Sequence, residues 1–300
     1  MSEAQQNQTG LRLGLIILGV VAVGFLGLFL FGPEPRNEKD PNARAGLIWD
    51  AQTVLGDAPS HRAIEALNAA NPAVANTLDK VVQQAVRDDG TKQDIAALTL
   101  EALFAQFRDQ AYYLQFADSA GYQDILEGLS EGLSQLEASR SSWCKGPRIA
   151  EFLAQNDDEL VPALLAEFPY ASPQYEWAMG WMETVLTVAK RAQDNPKRYT
   201  QPTGLDESQL QQEGLALGTE QWALALQIAA FANSEGVSYA KMQEVITGMD
   251  VCKLGMAVET VSGRLPEDVR GRIWADLMPE IMVGNTPYVM WRVTDYFFIN

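Results

Sequence analysis

The sequence predicts an all-α protein in which a multi-helix soluble body follows one N-terminal transmembrane helix. Three observations support this prediction. Residues 13–32 carry no charged or strongly polar side chain. The chain beyond them places apolar residues three and four positions apart, as helices do, and contains few β-branched runs. Finally, 47% of the chain is hydrophobic, which excludes an intrinsically disordered protein.

Residues 13–32 form the predicted membrane anchor. A helix of these twenty residues would be about 30 Å long, the thickness of the hydrocarbon core of a bilayer. The apolar stretch of a cleavable secretory signal is shorter, about 7 to 15 residues, and follows a more basic start than Arg12 provides here. We therefore expect a retained anchor, preceded by a polar tail over residues 1–12 and followed by a proline-rich charged linker over residues 33–46.

The charges that flank the anchor favour a cytoplasmic body. Arg12 precedes the anchor, whereas Arg36, Lys39 and Arg44 follow it. Lys and Arg near a transmembrane segment tend to remain in the cytoplasm, so this count places the body inside. The usual behaviour of N-terminal signal anchors favours the opposite side.

Cys144 and Cys252 also indicate on which side of the membrane the body lies. Neither has a second Cys or a His near it in sequence, which excludes the usual zinc spacings and a Cys-x-x-Cys redox pair. They are either buried thiols in a reducing compartment or one disulfide bond in an oxidising compartment. We predict the disulfide, which would close a loop of about 108 residues and stabilise the fold by about 4–5 kcal/mol. We therefore expect a single-pass protein of the inner (cytoplasmic) membrane with a periplasmic body; the alternative is a cytoplasmic body.

The body divides into two predicted subdomains. The segment ASRSSWCKGP, residues 138–147, is the clearest internal break, and six of the seven tryptophans follow residue 140. We therefore predict a first helical subdomain over residues 47–140 and a second, tryptophan-rich helical subdomain over residues 141–300.

Apolar spacing, caps and helix breakers predict the helices of the body. Ser60 is the expected cap of the first helix, Pro72 begins the second, and the turn Asp88-Asp89-Gly90 ends it. A helix is also predicted within residues 121–137, and Asp206, Thr219 and Ser238 are expected caps. The other predicted helices are Gln93–Phe116, Arg148–Gln155, Glu159–Glu167, Gln174–Gln193, Asp206–Leu217, Thr219–Asn233, Tyr239–Val261, Glu267–Leu277 and Pro287–Phe298.

Two helices carry candidate partner-binding residues. Gly128 and Gly132, four positions apart, form a strip of small residues where another helix can approach closely. Trp177 and Trp181, also one turn apart, form a stripe that is typical of core packing and is a second candidate surface. Asp124, Glu127 and Glu131 form an acidic edge on the helix that carries the two glycines. This edge is either a solvated face or a site for a basic partner.

The C-terminal end is the third candidate. Chain ends are usually poorly ordered unless they are tied down, yet this one is rich in aromatic residues. We expect it to be packed into the core or held by a partner or membrane interface. The candidate residues there are Tyr288, Trp291, Tyr296, Phe297 and Phe298.

Composition excludes several function classes. The 39 acidic and 22 basic residues give a net charge of −17, and no basic face for nucleic acid is visible. No catalytic, cofactor-binding or metal-binding set is predicted, although Glu176 and Glu183 beside the tryptophans raise the possibility of a carboxylate pair. The predicted function is an accessory, scaffold or assembly subunit that binds other membrane or envelope proteins. The alternatives are an envelope-acting hydrolase with unidentified carboxylates and a helical module for an apolar small molecule.

Overall fold

The computed structural model describes residues 51, 54–148, 157–218, 223, 247–285, 288, 289, 292, 293 and 296. These residues form helices and no sheet; one isolated antiparallel bridge joins Lys145 and Asp250. The prediction of an all-α body is therefore confirmed. The predicted anchor, residues 13–32, lies outside the described residues and stays a prediction. Among the helices that are described, none is both long and apolar enough to cross a membrane.

Nine α-helices and one 3-10 helix make up the described part of the body. The 3-10 helix is Ser142–Cys144. The α-helices are α1 Ala58–Ala70, α2 Pro72–Arg87, α3 Lys92–Leu114, α4 Ser119–Ala138, α5 Asp157–Glu167, α6 Pro173–Asp194, α7 Gly204–Leu217, α8 Val251–Arg264 and α9 Glu267–Met282.

Two helices begin earlier than the sequence predicts. Asp57, rather than Ser60, caps α1, and Ser60 instead shares a buried hydrogen bond of 2.9 Å with Tyr175 on α6. Thr203, rather than Asp206, caps α7, and Asp206 is the reciprocal partner in a capping box. In both cases the sequence holds two polar residues three positions apart at the helix start. The first of the two is the cap, because a cap residue precedes the first helical turn and its side chain accepts a hydrogen bond from a backbone N–H of that turn.

The predicted helix Tyr239–Val261 is interrupted. The chain leaves helical geometry at Met249, and Asp250 caps a new helix, α8, by accepting from the backbone N–H of Lys253 at 3.1 Å. Apolar spacing continues across this point, so periodicity alone does not reveal the break. The earlier part of that predicted helix lies largely outside the described residues, as do Thr219–Asn233 and most of Arg148–Gln155 and Pro287–Phe298.

The core is organised around α6. This helix contacts α1, α3 and α4, and α4 in turn packs against α8 and α9. Phe107 on α3 meets Trp181 on α6 edge-to-face, with the ring centroids 5.7 Å apart. Both side chains are buried, and full burial of a large apolar side chain stabilises a fold by about 1.5–3 kcal/mol. One buried hydrophobic cluster thus contains residues from both predicted subdomains.

Candidate binding cleft

A cleft of about 690 Å³ opens between the C-terminal half of α3, the segment that precedes α7, and α9. Three arginines and three tyrosines from these elements and from the C-terminal segment line it, and we call it the arginine–tyrosine cleft. These residues are Arg108, Tyr112, Arg198, Tyr199, Arg272 and Tyr288. Phe116, Asp276, Glu280 and Val283 are among the other residues of its wall.

Arg272 is the best-anchored cation of this cleft. Its Nε and Nη2 donate to the two carboxylate oxygens of Asp206 at 2.9 and 2.7 Å, and Nη2 also donates to Asp268 at 2.9 Å. Burial alone would raise the pKa of Asp206, but the hydrogen bonds from Arg272 and Thr203 outweigh it and hold that pKa below its ordinary value. The bond to Asp206 likewise raises the pKa of Arg272. The guanidinium is therefore permanently charged and held in one orientation.

One carboxylate ties the C-terminal segment to α9. Asp276 accepts from the hydroxyl of Tyr288 at 3.0 Å, from Nε of Arg292 at 2.7 Å and from the hydroxyl of Tyr296 at 2.6 Å. Gln211 on α7 donates to the backbone carbonyl of Tyr296 at 2.6 Å. Both oxygens of Asp276 are thus occupied, and this side of the cleft has a fixed shape.

Burial and the nearby Asp276 charge also change the titration of these tyrosines. Burial, followed by the effect of Asp276, raises the pKa of Tyr288 to about 12 and moves the pKa of Tyr296 in the same direction. Tyr296 is fully buried, so the aromatic C-terminal end is packed into the body at this residue. The other predicted aromatic residues of this end, Trp291, Phe297 and Phe298, lie outside the described residues.

The rim of the cleft exposes aromatic and apolar surface. Tyr112 is 63% exposed and meets Phe116 edge-to-face, with the ring centroids 5.5 Å apart. Val283 on α9 is 41% exposed. Arg198 is exposed and makes no hydrogen bond or ion pair with the part of the chain that the structure describes. The rim therefore combines an exposed cation with exposed apolar side chains.

The predicted glycine and tryptophan residues meet inside the body. Nε1 of Trp177 donates to the carbonyl of Gly128 at 2.7 Å, and Nε1 of Trp181 donates to the carbonyl of Ile125 at 3.0 Å. A Cβ at Gly132 would overlap the ring of Trp177. The helix that approaches the glycine strip is thus α6 of the same chain. Because contacts within the chain occupy these residues, we do not assign them to the partner surface.

A second groove, of about 450 Å³, runs between α4 and α6 and is lined by the predicted acidic edge. Arg191 lies 3.4 Å from Asp124 there, and Arg62 forms an ion pair of 2.8 Å with Glu183. Glu183 is one of the two carboxylates considered for acid–base chemistry, and the other, Glu176, is exposed. These ion pairs link α6 to α4 and α1, so the groove has the character of a salt-bridged helix contact.

Cys144 and Cys252 form a disulfide bond between the 3-10 helix and α8, as predicted. Both residues are buried, and the bond spans 108 positions of sequence. Asp250 lies near the two sulfur atoms and forms a 3.2 Å ion pair with Lys145. Because the two sulfurs are bonded to each other, neither is available as a thiolate ligand for a metal ion.

No family model, curated protein or solved structure matches this chain. Function is therefore inferred from the geometry of the described residues. Sequence reasoning missed the arginine–tyrosine cleft, although the pair Tyr112-Tyr113 and the stretch KRYTQP, residues 197–202, contain part of its lining. These segments are remote in sequence, and tertiary contacts bring them together. The backbone N–H of Lys197 donates to the carbonyl of Phe116 at 2.8 Å, and α3 packs against α9.

Proposed function

We propose that the protein is a single-span, membrane-anchored accessory, scaffold or assembly subunit whose helical body binds another membrane or envelope protein. The arginine–tyrosine cleft is the observation that carries this proposal. Tyrosine, tryptophan and arginine dominate the energetic hot spots of protein interfaces. Small-molecule sites are instead lined predominantly by apolar side chains, with few polar groups.

The shape of the cleft supports this role. Arg272 is oriented by Asp206, and Tyr288 by Asp276, so neither side chain must be ordered when a partner binds. Ordering a flexible side chain at an interface costs about 0.5–1.5 kcal/mol, and a preformed surface avoids this cost. Tyr112 contributes a large, stiff side chain with one polar tip at the rim, which suits a contact that is apolar in part.

The disulfide bond supports the periplasmic placement of the body. Such bonds persist in oxidising compartments, including the bacterial periplasm, and are rare in the cytosol. In the proposed arrangement, residues 13–32 hold the body at the inner membrane and the linker 33–46 sets its reach. A partner in the same membrane is then encountered at high effective concentration, which lowers the affinity that the cleft itself must supply.

Site-specific photo-crosslinking in intact cells tests the proposal. A photo-reactive residue at position 112 should yield a discrete adduct with a membrane or envelope protein. Position 215 is the matched control, because Leu215 is 66% exposed, close to the 63% of Tyr112, but does not line the cleft. Equal adduct patterns from the two positions, or no adduct from position 112, would contradict a partner-binding role for the cleft.

A further inference from the structure

We infer that the arginine–tyrosine cleft binds an acidic segment of the partner protein, with carboxylates at the arginines and an adjacent apolar or aromatic side chain at the rim. This inference rests on the proposed function and specifies the chemistry of the partner at the same site.

The charge of the lining differs in sign from that of the whole chain. Three arginines and two acids line the cleft, so the lining has a net charge of 3 − 2 = +1, whereas the complete chain carries −17. Asp206 and Asp268, which are not part of the lining, pair with Arg272 and compensate its charge. Arg198 makes no ion pair within the described residues and carries the positive charge of the rim. Asp276, one of the two acids, accepts from Arg292 and two tyrosine hydroxyls. The other, Glu280, accepts from Asn285. The exposed guanidinium of Arg198 attracts an anionic group that the rest of this acidic surface repels, so it directs an acidic segment to the cleft.

Arg272 and Arg198 have hydrogen-bonding capacity left for a carboxylate. Arg272 uses Nε and Nη2 for Asp206 and Asp268, and its Nη1 makes no hydrogen bond within the described part of the chain. Arg198 offers its full guanidinium at the rim. A planar guanidinium donates two parallel N–H groups to a carboxylate, which makes such pairs shorter and stronger than neutral hydrogen bonds.

A protein segment fits this surface better than a nucleic acid. A nucleic acid needs an extended basic face that neutralises many phosphates, and the −17 charge of the chain would repel it outside the cleft. A short acidic segment presents only a few carboxylates. The exposed ring of Tyr112 and the exposed side chain of Val283 can cover an apolar residue that lies beside them.

Peptide binding by the full-length protein in nanodiscs of zwitterionic lipid tests the inference. The probe is a fluorescein-labelled peptide of alternating glutamate and tyrosine, followed by fluorescence anisotropy. Two counterparts carry glutamine or lysine in place of every glutamate. We expect the acidic peptide to bind more tightly than both counterparts, and we expect its affinity to fall as the salt concentration is raised.

Two charge reversals of equal size localise the binding. Arg198→Glu should lower the affinity for the acidic peptide by about tenfold or more, since it replaces an attractive contact by a repulsive one. Arg87→Glu changes the net charge equally at an exposed position on α2, outside the cleft, and should leave the affinity within about twofold. Equal weakening by both variants would show a general charge effect and would overturn the inference.

The remaining outcomes separate this inference from the proposed function. If position 112 crosslinks to a protein but the glutamine peptide binds as well as the acidic one, the partner role stands and the acidic specificity is wrong. If free glutamate competes as strongly as the peptide, the cleft is a site for a small carboxylate and the assignment to a protein segment is overturned. If the acidic peptide binds through Arg198 while position 112 gives no adduct in cells, the acidic preference stands and the partner role fails.

Discussion

Gly132→Ala should destabilise the body, whereas the chemically identical change Gly180→Ala should stabilise it. Gly132 lies on α4 against Trp177, and a Cβ there would overlap the indole ring. Gly180 lies inside α6, where an added Cβ meets no atom within 4 Å beyond its chain neighbours and the adjacent backbone of its own helix. The two variants therefore isolate the cost of the close contact between α4 and α6.

The magnitude combines three contributions. Alanine in place of glycine inside a helix stabilises by about 0.8–1 kcal/mol at either position. At Gly132 the new Cβ must displace the Trp177 ring, and overpacking of this kind costs about 1–3 kcal/mol. The displaced ring also loses its hydrogen bond to the Gly128 carbonyl, worth about 0.5–1.5 kcal/mol. We expect Gly132→Ala to lower the free energy of unfolding by about 0.5–3.5 kcal/mol and Gly180→Ala to raise it by up to about 1 kcal/mol.

Thermal unfolding of the full chain in detergent, followed by near-ultraviolet circular dichroism, measures both effects. At about 2–4 °C per kcal/mol, the two variants should shift Tm in opposite directions. In a Trp177→Ala background the obstructing ring is absent, so Gly132→Ala should no longer destabilise. A shift of the same sign in both glycine variants, or an undiminished cost in the Trp177→Ala background, would refute the reasoning.

Three further predictions follow from the described contacts. The double variant Cys144→Ser, Cys252→Ser should lose about 4–5 kcal/mol of unfolding free energy, measured by urea denaturation against the oxidised parent; a loss below about 1 kcal/mol would contradict the chain-entropy estimate. Asp206→Ala should cost roughly 2–4 kcal/mol by the same measurement, because it removes a capping box and the partner of Arg272. The folded pKa of Asp206 is depressed, so the stability that its carboxylate contributes is present above about pH 4 and is lost as the pH falls. In acid, the unfolding free energy of the parent should therefore approach that of the variant. The folded pKa of Tyr288 is raised to about 12, so its contribution to stability is complete below about pH 10 and is lost as the pH rises toward 12. Protease sensitivity near the C-terminus should therefore increase between about pH 10 and 12, and an unchanged sensitivity would contradict the Asp276 contacts.

Much of the secondary structure follows from local patterns in the sequence. Pro72 begins α2, and the break after residue 138 ends α4, as apolar spacing and helix breakers predict. The misplaced caps at Ser60 and Asp206 show the limit of such patterns. Either of two polar residues at a helix start has the right chemistry, and backbone geometry selects between them.

Contacts between distant segments were predicted less completely. The Cys144–Cys252 bond was predicted in preference to two buried thiols, and with only two cysteines in the chain it has one possible pairing. The glycine strip was predicted to receive a helix, but the sequence does not say which helix, and the structure places α6 there. Many helices have an apolar stripe that would fit such a strip, so the choice depends on the packing of all of them together.

Local sequence patterns predicted the helical class of the body, most of the helices within the described residues and the disulfide pair. Each depends on spacing within one segment or on a unique pairing. The tertiary structure alone decided that Trp177 fills the glycine strip, that Asp276 holds the C-terminal segment, and that arginines from α3, residue 198 and α9 line one cleft. These arrangements join residues far apart in the chain, and the burial energy that selects one packing is a property of the whole core rather than of any segment.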